Sequence, residues 1–190
     1  MAKRGQTRRQ LVETTAQLLQ KQGLNGTGLL QVLAESGAPR GSLYFHFPGG
    51  KEQLTVEAIE YSRAVISGWL RKSLDAHPDP GAALADIAER YARRVERSEF
   101  TLGCPIAAVA LEGTPVSERL RQATEAALGE REELLAGHLV AADIEPARAH
   151  AVATAFLSGL EGALMLSRAR RSAEPLRAVG VLIRELLPAS

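Results

Sequence analysis

Residues 27–54 of this chain, TGLLQVLAESGAPRGSLYFHFPGGKEQL, contain two short helical patterns separated by a glycine. The first pattern ends at Ser36-Gly37. The second follows Pro39, which suits the first turn of a helix because its missing N–H needs no partner there. Helices this short cannot bury enough apolar surface to be stable alone. The stretch therefore has to pack against neighbouring helices, with a turn near Gly37-Ala38, as in a helix-turn-helix.

A longer amphipathic helix is predicted before this stretch, over residues 7–22. Its inward positions repeat at helical spacing on one face, at Leu11, Thr15, Leu18 and Leu19. Gly23 stands where the end of a helix favours a left-handed residue. Thr27 is predicted to cap the second helix, whose inward side chains are expected to be Leu30, Leu33 and Ala34. The third helix is expected to run from Pro39 to Tyr44, with Leu43 facing the core.

Helical periodicity continues through the rest of the chain, interrupted by clusters of proline and glycine. Six further helices are predicted, at about 51–75, 82–97, 106–112, from the break at 113–115 to about 140, 147–170 and 174–187. We find no strand pattern, internal repeat or low-complexity tract. The predicted fold class is all-α, and 190 residues with 45% hydrophobic content are enough to build a real core.

The charge of the chain is divided unevenly between its two ends. The formal net charge is only +1, but residues 1–51 have seven basic and two acidic side chains, a balance of +5, and the remaining 139 residues have a balance of −4. A basic segment attached to a mildly acidic body fits a DNA-binding end joined to a part that does not bind DNA. The alternative is a basic tail that only adds solubility.

The sequence shows no signal for a membrane, a secretion route or a metal. No apolar run reaches about 18 residues, and the N-terminus lacks the apolar centre of a signal peptide, so we expect a cytoplasmic protein. The single cysteine, Cys104, excludes an intrachain disulfide and leaves no cysteine cluster for a metal. The histidines have no metal-ligand spacing, at His46, His77, His138 and His150. We expect no cofactor and no metal.

The two C-terminal helices, at about 147–170 and 174–187, are apolar and rich in small residues. The first has Ala155, Gly159, Gly162 and Ala163 on one side, and the second presents Leu176, Val179, Leu182, Ile183 and Leu186. The helices either complete the core of the monomer or pair with a second copy as a four-helix interface. Dimerisation is the preferred interpretation, because readers with one short recognition helix usually bind two half-sites roughly 34–36 Å apart.

The order of these features also resembles a known family. An amphipathic helix followed by GTGLLQVLAESGAPRGSLYFHF and GGKEQL resembles the tetracycline-repressor-type (TetR/AcrR) family of transcriptional regulators over residues 7–60. GCPIAAVALEG, at residues 103–113, resembles the subgroup of lincomycin- and flavonoid-responsive (LmrA/YxaF-like) repressors of multidrug-efflux operons. The resemblance implies a helix-turn-helix DNA-binding domain at 1–50 and a helical ligand-binding and dimerisation domain at 51–190. The expected function is a ligand-released repressor that binds a pseudo-palindromic operator as a dimer.

The resemblance further implies roles for individual residues in DNA binding. Three residues are expected to face bases, since arginine can bond guanine bidentately and glycine lets the backbone approach the groove; they are Arg40, Gly41 and Ser42. Four are expected to hold phosphates, Thr27, Tyr44, His46 and Lys51. The alternatives are that Thr27 only caps its helix, that Phe45 or Phe47 does the packing, and that His46 only caps. A basic arm is expected either to follow the DNA or to be disordered in solution, with Lys3, Arg4, Arg8 and Arg9.

Repressors of this kind are released when a small molecule fills the body of the protein and shifts the long fourth helix. The expected pocket residues are Trp69, Tyr91, Phe100, Cys104, Ile106, Val109, Phe156, Leu160 and Met165, with Glu112 or Glu161 as polar anchors. For each of them, plain core packing is the alternative. Since the chain has only eight aromatic residues, we expect mainly aliphatic walls and an apolar or amphipathic effector.

Cys104 and the basic segment leave three other hypotheses. A thiol near a helix N-terminus can sense oxidants, and the preferred alternative is a buried structural cysteine. An all-helical enzyme would use Cys104 as nucleophile and His138 or His150 as base, but no acid accompanies them to orient the histidine, so we expect no enzyme activity. A helical adaptor whose basic N-terminal segment binds an acidic protein partner is the remaining alternative to DNA binding.

Overall fold

A computed structural model of the chain describes residues 2–39 and 41–187, with side chains from residue 5 onward. The described residues form nine helices and no strand, which confirms the all-α prediction. The helices are α1 (Ala2–Gly26), α2 (Leu29–Ser36), α3 (Ser42–His46), α4 (Gly50–Ala76), α5 (Pro80–Arg97), α6 (Pro105–Glu112), α7 (Glu118–Ala141), α8 (Pro146–Arg170) and α9 (Glu174–Leu186). Where the sequence predicted the first or last residue of a helix from α4 to α9, the structure confirms it to within two residues.

The first helix has the predicted inward face, and it kinks at the glycine where the sequence predicted its end, before continuing to Gly26. Leu11, Thr15, Leu18 and Leu19 are all buried. Gly23 has φ 73° and ψ −175°, a backbone conformation that only glycine adopts readily, and the helix kinks there. The helix begins at Ala2, five residues earlier than the sequence predicted.

The second helix has a different cap from the one predicted, and its inward face is only partly the predicted one. Gly28, not Thr27, is the residue that precedes the first helical turn. Leu33 packs against the core as predicted and Val32 is fully buried, whereas Leu30 is 79% exposed and Ala34 is also exposed. Four of the five residues in the run LLQVL are apolar, so the sequence did not fix the rotation of the helix, and packing selected Val32.

The turn and the third helix are placed as predicted, but the helix is shorter. Gly37 ends α2 with φ 67°, the left-handed conformation expected at this turn. α3 begins at Ser42, with Gly41 as its N-cap, so Pro39 belongs to the turn and not to the first helical turn. Leu43 is buried, as predicted.

The chain divides into two compact units. The first contains residues 1–65 and 104–127, and the second contains residues 66–103 and 128–190. The division differs from a boundary at residue 50, because the first half of α4 and all of α6 belong with the helix-turn-helix. The core of the helix-turn-helix in the first unit consists of Leu11, Val12, Leu18, Val32, Leu43, Phe47 and Leu54.

The second unit is built around α5, α8 and α9, which pack on one another. Asp79 caps α5 by accepting a hydrogen bond of 2.6 Å from the Ala82 amide. A Cβ added at Gly180 on α9 would lie 3.3 Å from the Ala88 Cβ on α5, so glycine permits this close approach. α5 and α9 are therefore held at short distance along this contact.

One described helix, α8, is long and apolar enough to cross a membrane by length and composition alone. Within the second unit, however, its Phe156 and Leu160 side chains are buried, and its Glu161 carboxylate pairs with the buried Arg131 guanidinium at 3.0 Å. Burial of one face and a buried ion pair are features of a helix in a protein bundle. The length and hydropathy of α8 are therefore explained by its place in this unit.

Candidate DNA-binding face and cavity

The third helix presents a short exposed surface because its other side is anchored in the core. Leu43 and Phe47 are buried, and between them Tyr44 is 66% exposed. Gly41 is exposed, and a Cβ added there would meet no atom within 4 Å. The Ser42 hydroxyl donates to the Pro39 carbonyl at 2.7 Å, which leaves its oxygen able to accept a further bond. Arg40, the other predicted base contact, lies outside the described residues.

The aromatic cluster at the end of α3 divides into a packing part and an exposed part. Phe47 is fully buried, whereas Phe45 is 62% exposed. His46 is half-buried, and its ring lies 5.0 Å from the Phe45 ring and 6.4 Å from the Phe47 ring, both edge-on. Of the two phenylalanines considered for packing, Phe47 therefore fills this role.

Lys51 lies in the first turn of α4 and is partly exposed. Its charge opposes the dipole of the helix, which favours anions at this end. The neighbouring Glu52 points to other groups, since it accepts a 2.5 Å hydrogen bond from the Ser117 hydroxyl and pairs with Arg119 at 3.4 Å. Lys51 is thus a cation at a helix N-terminus, where backbone N–H groups and an ammonium can share one anion.

Two groups of predicted phosphate contacts are not arranged as the sequence indicated. Thr27 is only 3% exposed, and its hydroxyl donates to the Gly23 carbonyl at 2.6 Å, so this side chain is not presented to a ligand. Arg8 pairs with Glu57 at 2.5 Å and lies over the Phe47 ring at 5.2 Å. Arg9 pairs with Glu13 at 2.7 Å. Both arginines belong to α1 and not to an extended arm, and the side chains of Lys3 and Arg4 lie outside the described residues.

The second unit contains an open cavity of about 600 Å³, formed by the second half of α4, one side of α5 and the segment after α5. Trp69 and Tyr91 contribute aromatic walls, with ring centroids 5.2 Å apart in an edge-to-face arrangement. Leu102 and Ser98 also line the cavity. The remaining lining is charged, with one carboxylate, Asp86, and four arginines, Arg90, Arg93, Arg94 and Arg97.

The acidic residues near these arginines pair with Arg90, with Arg93 and with Arg177 of α9. Asp86 accepts from Arg90 at 2.6 Å. Glu89 accepts from Arg93 at 2.9 Å and from Arg177 of α9 at 3.1 Å, and these bonds lower the pKa of Glu89. Glu96 is held by both terminal nitrogens of Arg177, at 2.9 and 3.0 Å. The cavity lining consequently has more positive than negative charge.

The sequence predicted only part of this cavity. Trp69 and Tyr91 line it, but seven other predicted pocket residues do not: Phe100, Cys104, Ile106, Val109, Phe156, Leu160 and Met165. Ile106, Val109, Phe156 and Leu160 are buried, and Met165 is 66% exposed. The predicted anchors are also engaged, since Glu112 accepts a 2.6 Å bond from the Asn25 amide and Glu161 pairs with Arg131. The arginine lining replaces the aliphatic walls that we expected.

The arginines that the sequence analysis missed do have a sequence signal. Residues 90–97, RYARRVER, place arginines at i, i+3, i+4 and i+7, which is one side of a helix. Such a stripe usually forms a solvated face with acidic residues at i±4. The signal became informative only when the structure placed the stripe beside Trp69.

Cys104 is buried and precedes the first turn of α6. Its sulfur accepts a hydrogen bond of 3.5 Å from the Ala107 amide, so it caps this helix. Burial and a capping contact are features of a structural cysteine.

Two protein-family models match the chain. Residues 11–58 match the model described as bacterial regulatory proteins, tetR family. Residues 80–181 match the model of the C-terminal domain of LmrA/YxaF-like transcriptional regulators. The first match covers the helix-turn-helix of the first unit, and the second covers most of the second unit with every lining residue of the cavity except Trp69.

Curated relatives are similar over nearly the whole chain. The HTH-type transcriptional regulator YxaF of Bacillus subtilis (strain 168) is 34% identical over 99% of this chain and 96% of its own length. LmrA of the same organism is 33% identical over 96% of this chain and 97% of its own length. All are named as transcriptional regulators, and nothing in these names favours an enzyme or an adaptor.

The fold is also that of solved regulators. A cysteine mutant of the TetR family regulator CifR, in complex with 26-base-pair double-strand operator DNA, superimposes with a TM-score of 0.80, is 26% identical and covers 95% of this chain and 96% of its own. A TetR regulator from Chloroflexus aurantiacus gives 0.81 at 26% identity, covering 97% and 96%. The family is one of operator-binding proteins that are typically dimers. The chain belongs to the tetR family of bacterial regulatory proteins, and it is a DNA-binding transcriptional regulator with an LmrA/YxaF-like C-terminal domain.

Proposed function

We propose that this regulator is a cytoplasmic repressor that binds a pseudo-palindromic operator as a dimer and is released by a small molecule. The observation that carries the DNA-binding part is the arrangement of α3. Leu43 and Phe47 fix the helix in the core of the first unit, and this leaves Gly41 and Tyr44 exposed. A recognition helix in the major groove needs this combination of a rigid inner side and an accessible outer side.

The contacts divide into two groups. Gly41 and Ser42, at the start of α3, face bases together with Arg40. Tyr44, His46 and Lys51 hold phosphates through a phenol, an imidazole and an ammonium, three groups that can donate hydrogen bonds to phosphate oxygens. We leave Thr27 out of this group, because its side chain is buried and its hydroxyl is bonded to the Gly23 carbonyl.

Operator binding is tested on a duplex selected from a random 30-base-pair library, by fluorescence anisotropy at several salt concentrations. Lys51→Gln should weaken binding severalfold and lower the slope of log K against log salt by about one, because one phosphate contact is lost. Tyr44→Phe removes only the hydroxyl, and should weaken binding about 5- to 10-fold.

The matched control is Lys72→Gln, which removes the same charge from an exposed position in the second unit. Lys72→Gln should leave affinity and salt slope unchanged. If Lys51→Gln and Lys72→Gln have the same effect, Lys51 is not a phosphate contact. If the wild type prefers no duplex from the library at low salt, the operator-binding proposal as a whole is wrong.

The dimer is proposed to form through α8 and α9. Val181, Leu182 and Leu186 of α9 are more than half exposed, as is Met165 of α8. A Cβ added at Gly162 of α8 would meet no atom within 4 Å, so the backbone is open to a second helix there. Exposed apolar side chains on two adjacent helices are suited to an isologous four-helix interface.

Sedimentation velocity tests this interface. Val181→Glu places a charge in the apolar face and should convert the dimer to monomer at micromolar concentration. Val116→Glu is the matched control, because Val116 is 79% exposed in the first unit. A Val181→Glu protein that remains as dimeric as Val116→Glu would contradict the assignment.

The release step is proposed to begin at the arginine-lined cavity. α4 begins near Lys51 and continues to Trp69 roughly five helical turns later. A ligand that contacts Trp69 can therefore act on the same helix that holds a phosphate contact. Release requires only that the ligand bind the DNA-free conformation more tightly than the DNA-bound one.

A further inference from the structure

The cavity of the second unit combines an aromatic wall with an excess of guanidinium groups. Of the lining residues, four are arginines and one is an aspartate. Asp86 bonds Arg90 and Glu89 bonds Arg93, while no carboxylate is paired with Arg97 among the residues that the structure describes. Since a guanidinium group presents several N–H donors in one plane, it matches a carboxylate better than any neutral group.

Arg177 accounts for this excess. Its guanidinium bonds Glu89 and both oxygens of Glu96, two acids of α5. Glu89 is shared between Arg93 and Arg177, whereas Glu96, three residues after Arg93, is bonded by Arg177. By holding Glu96, Arg177 leaves the cavity side of α5 positive.

The aromatic residues of the cavity favour an aromatic ligand. Trp69 and Tyr91 both line the cavity and meet edge to face, the geometry in which aromatic rings attract one another. The main volume, about 600 Å³, lies within the range of small-molecule sites.

We propose that this cavity binds an aromatic carboxylate, with the ring system against Trp69 and Tyr91 and the carboxylate on the arginine stripe. This inference rests on the proposed ligand-released repressor and names the chemical class of its effector. Of the apolar or amphipathic effectors that the sequence favoured, it selects an amphipathic one with a carboxylate. A carboxylate can pair with Arg97, whose guanidinium has no carboxylate partner among the described residues, and an apolar ligand cannot.

The test compares two probes of the same shape, 2-naphthoate and 2-naphthamide, by isothermal titration calorimetry on the full-length protein. The carboxylate should bind at least tenfold more tightly than the amide. Raising the salt concentration should reduce this difference in affinity, because salt screens the attraction between the carboxylate and the arginines. Equal affinities, or no heat with either probe up to 1 mM (roughly the weak end of site affinities), would overturn the inference. This comparison uses the wild type alone and does not depend on the folding of any variant.

Arginine variants then test which guanidinium groups bind the carboxylate. Arg97→Met and the double variant Arg94→Met with Arg97→Met should lower the affinity for 2-naphthoate by about threefold and tenfold, because exposed ion pairs each contribute little. Neither should change binding of 2-naphthamide. Arg148→Met, at an exposed arginine near the start of α8, is the control and should change neither. Equal losses in the Arg148 and Arg97 variants would place the bound carboxylate elsewhere.

Operator release is measured separately, by adding 2-naphthoate to the protein–operator complex. Binding of the carboxylate without loss of operator affinity supports the anion site and contradicts the effector role. Release by 2-naphthamide as effectively as by 2-naphthoate supports the effector role and contradicts the anion site. The two proposals therefore fail in different measurements.

Discussion

The ion pair between Arg131 and Glu161 gives the sharpest prediction about stability. Arg131 of α7 is only 1% exposed, and its Nη1 lies 3.0 Å from Oε1 of Glu161 on α8. Glu161→Gln keeps the shape and the carbonyl acceptor but removes the compensating charge. The guanidinium group then keeps its charge, because the pKa of arginine is too high for it to lose its proton, and it loses the negative charge of Glu161.

The size of the effect follows from burial. Removing one partner of a fully buried ion pair costs about 3–5 kcal/mol. Glu161 is 21% exposed, so water reaches part of the pair, and we expect a loss of about 2–3 kcal/mol. The entropy of unfolding is about 2.1 cal/mol/K per residue, or roughly 0.4 kcal/mol/K for a chain of this length. The melting temperature should therefore fall by about 5–8 °C.

The assay is thermal and urea denaturation followed by far-UV circular dichroism. Protein concentration is held constant, since dimer formation makes the melting temperature depend on it. Arg131→Met with Glu161→Leu replaces the pair by apolar side chains of similar volume, and should recover most of the stability that either single variant loses. Ser158→Ala on the same helix is a control for substitution of an exposed residue.

Two results would refute this reasoning. The first is a Glu161→Gln protein within 0.5 kcal/mol of the wild type. The second is additivity, in which the double variant loses as much stability as Arg131→Met and Glu161→Leu lose together. Additive losses of stability mean that the two side chains do not interact.

Three further predictions concern backbone conformation and pH. Gly37→Ala should cost about 1–2 kcal/mol in urea unfolding, because φ is 67° and a Cβ there meets no neighbour. Gly23→Ala should cost more, because φ 73° with ψ −175° is accessible almost only to glycine and because an added Cβ also collides with the Glu112 carboxylate; only the cost of this collision should disappear in a Glu112→Ala background. Burial lowers the pKa of His138 despite the opposing effect of Asp75. The folded state therefore takes up this proton less readily than the unfolded state, and stability is lost as the pH falls from above about 6.5 through the folded pKa. His138→Gln should show a smaller drop between pH 7.5 and 5 in the same denaturation assay.

The helices could be predicted from the sequence because their ends are marked by residues with strong local preferences. Pro80, Pro105 and Pro146 each stand in the first turn of a helix, and Gly37 takes the left-handed conformation at a helix end. The rotation of α2 was not predictable in this way. When most residues of a short helix are apolar, the inward side is chosen by the neighbouring helices and not by the pattern.

The DNA-binding face could be predicted in part, because helical spacing determines which side chains of α3 are exposed. An exposed Tyr44 beside a buried Leu43 follows from helical spacing around one core position. Thr27 was misplaced because its hydroxyl bonds the Gly23 carbonyl, a contact created by the kink in α1. A threonine that bonds a carbonyl at a kink cannot be distinguished, from the sequence alone, from a threonine that caps the next helix.

The cavity shows why the charge of a site is harder to predict than its shape. In sequence, α5 alternates acids and arginines at i, i+3 and i+4, a pattern that predicts mutual neutralisation along a solvated helix. Arg177 changes this balance from 81 and 88 positions away, because it bonds Glu96 and Glu89. No local pattern on α5 contains that information. If the arginine stripe selects the effector, the determinant of selectivity includes a residue of α9 that does not line the cavity.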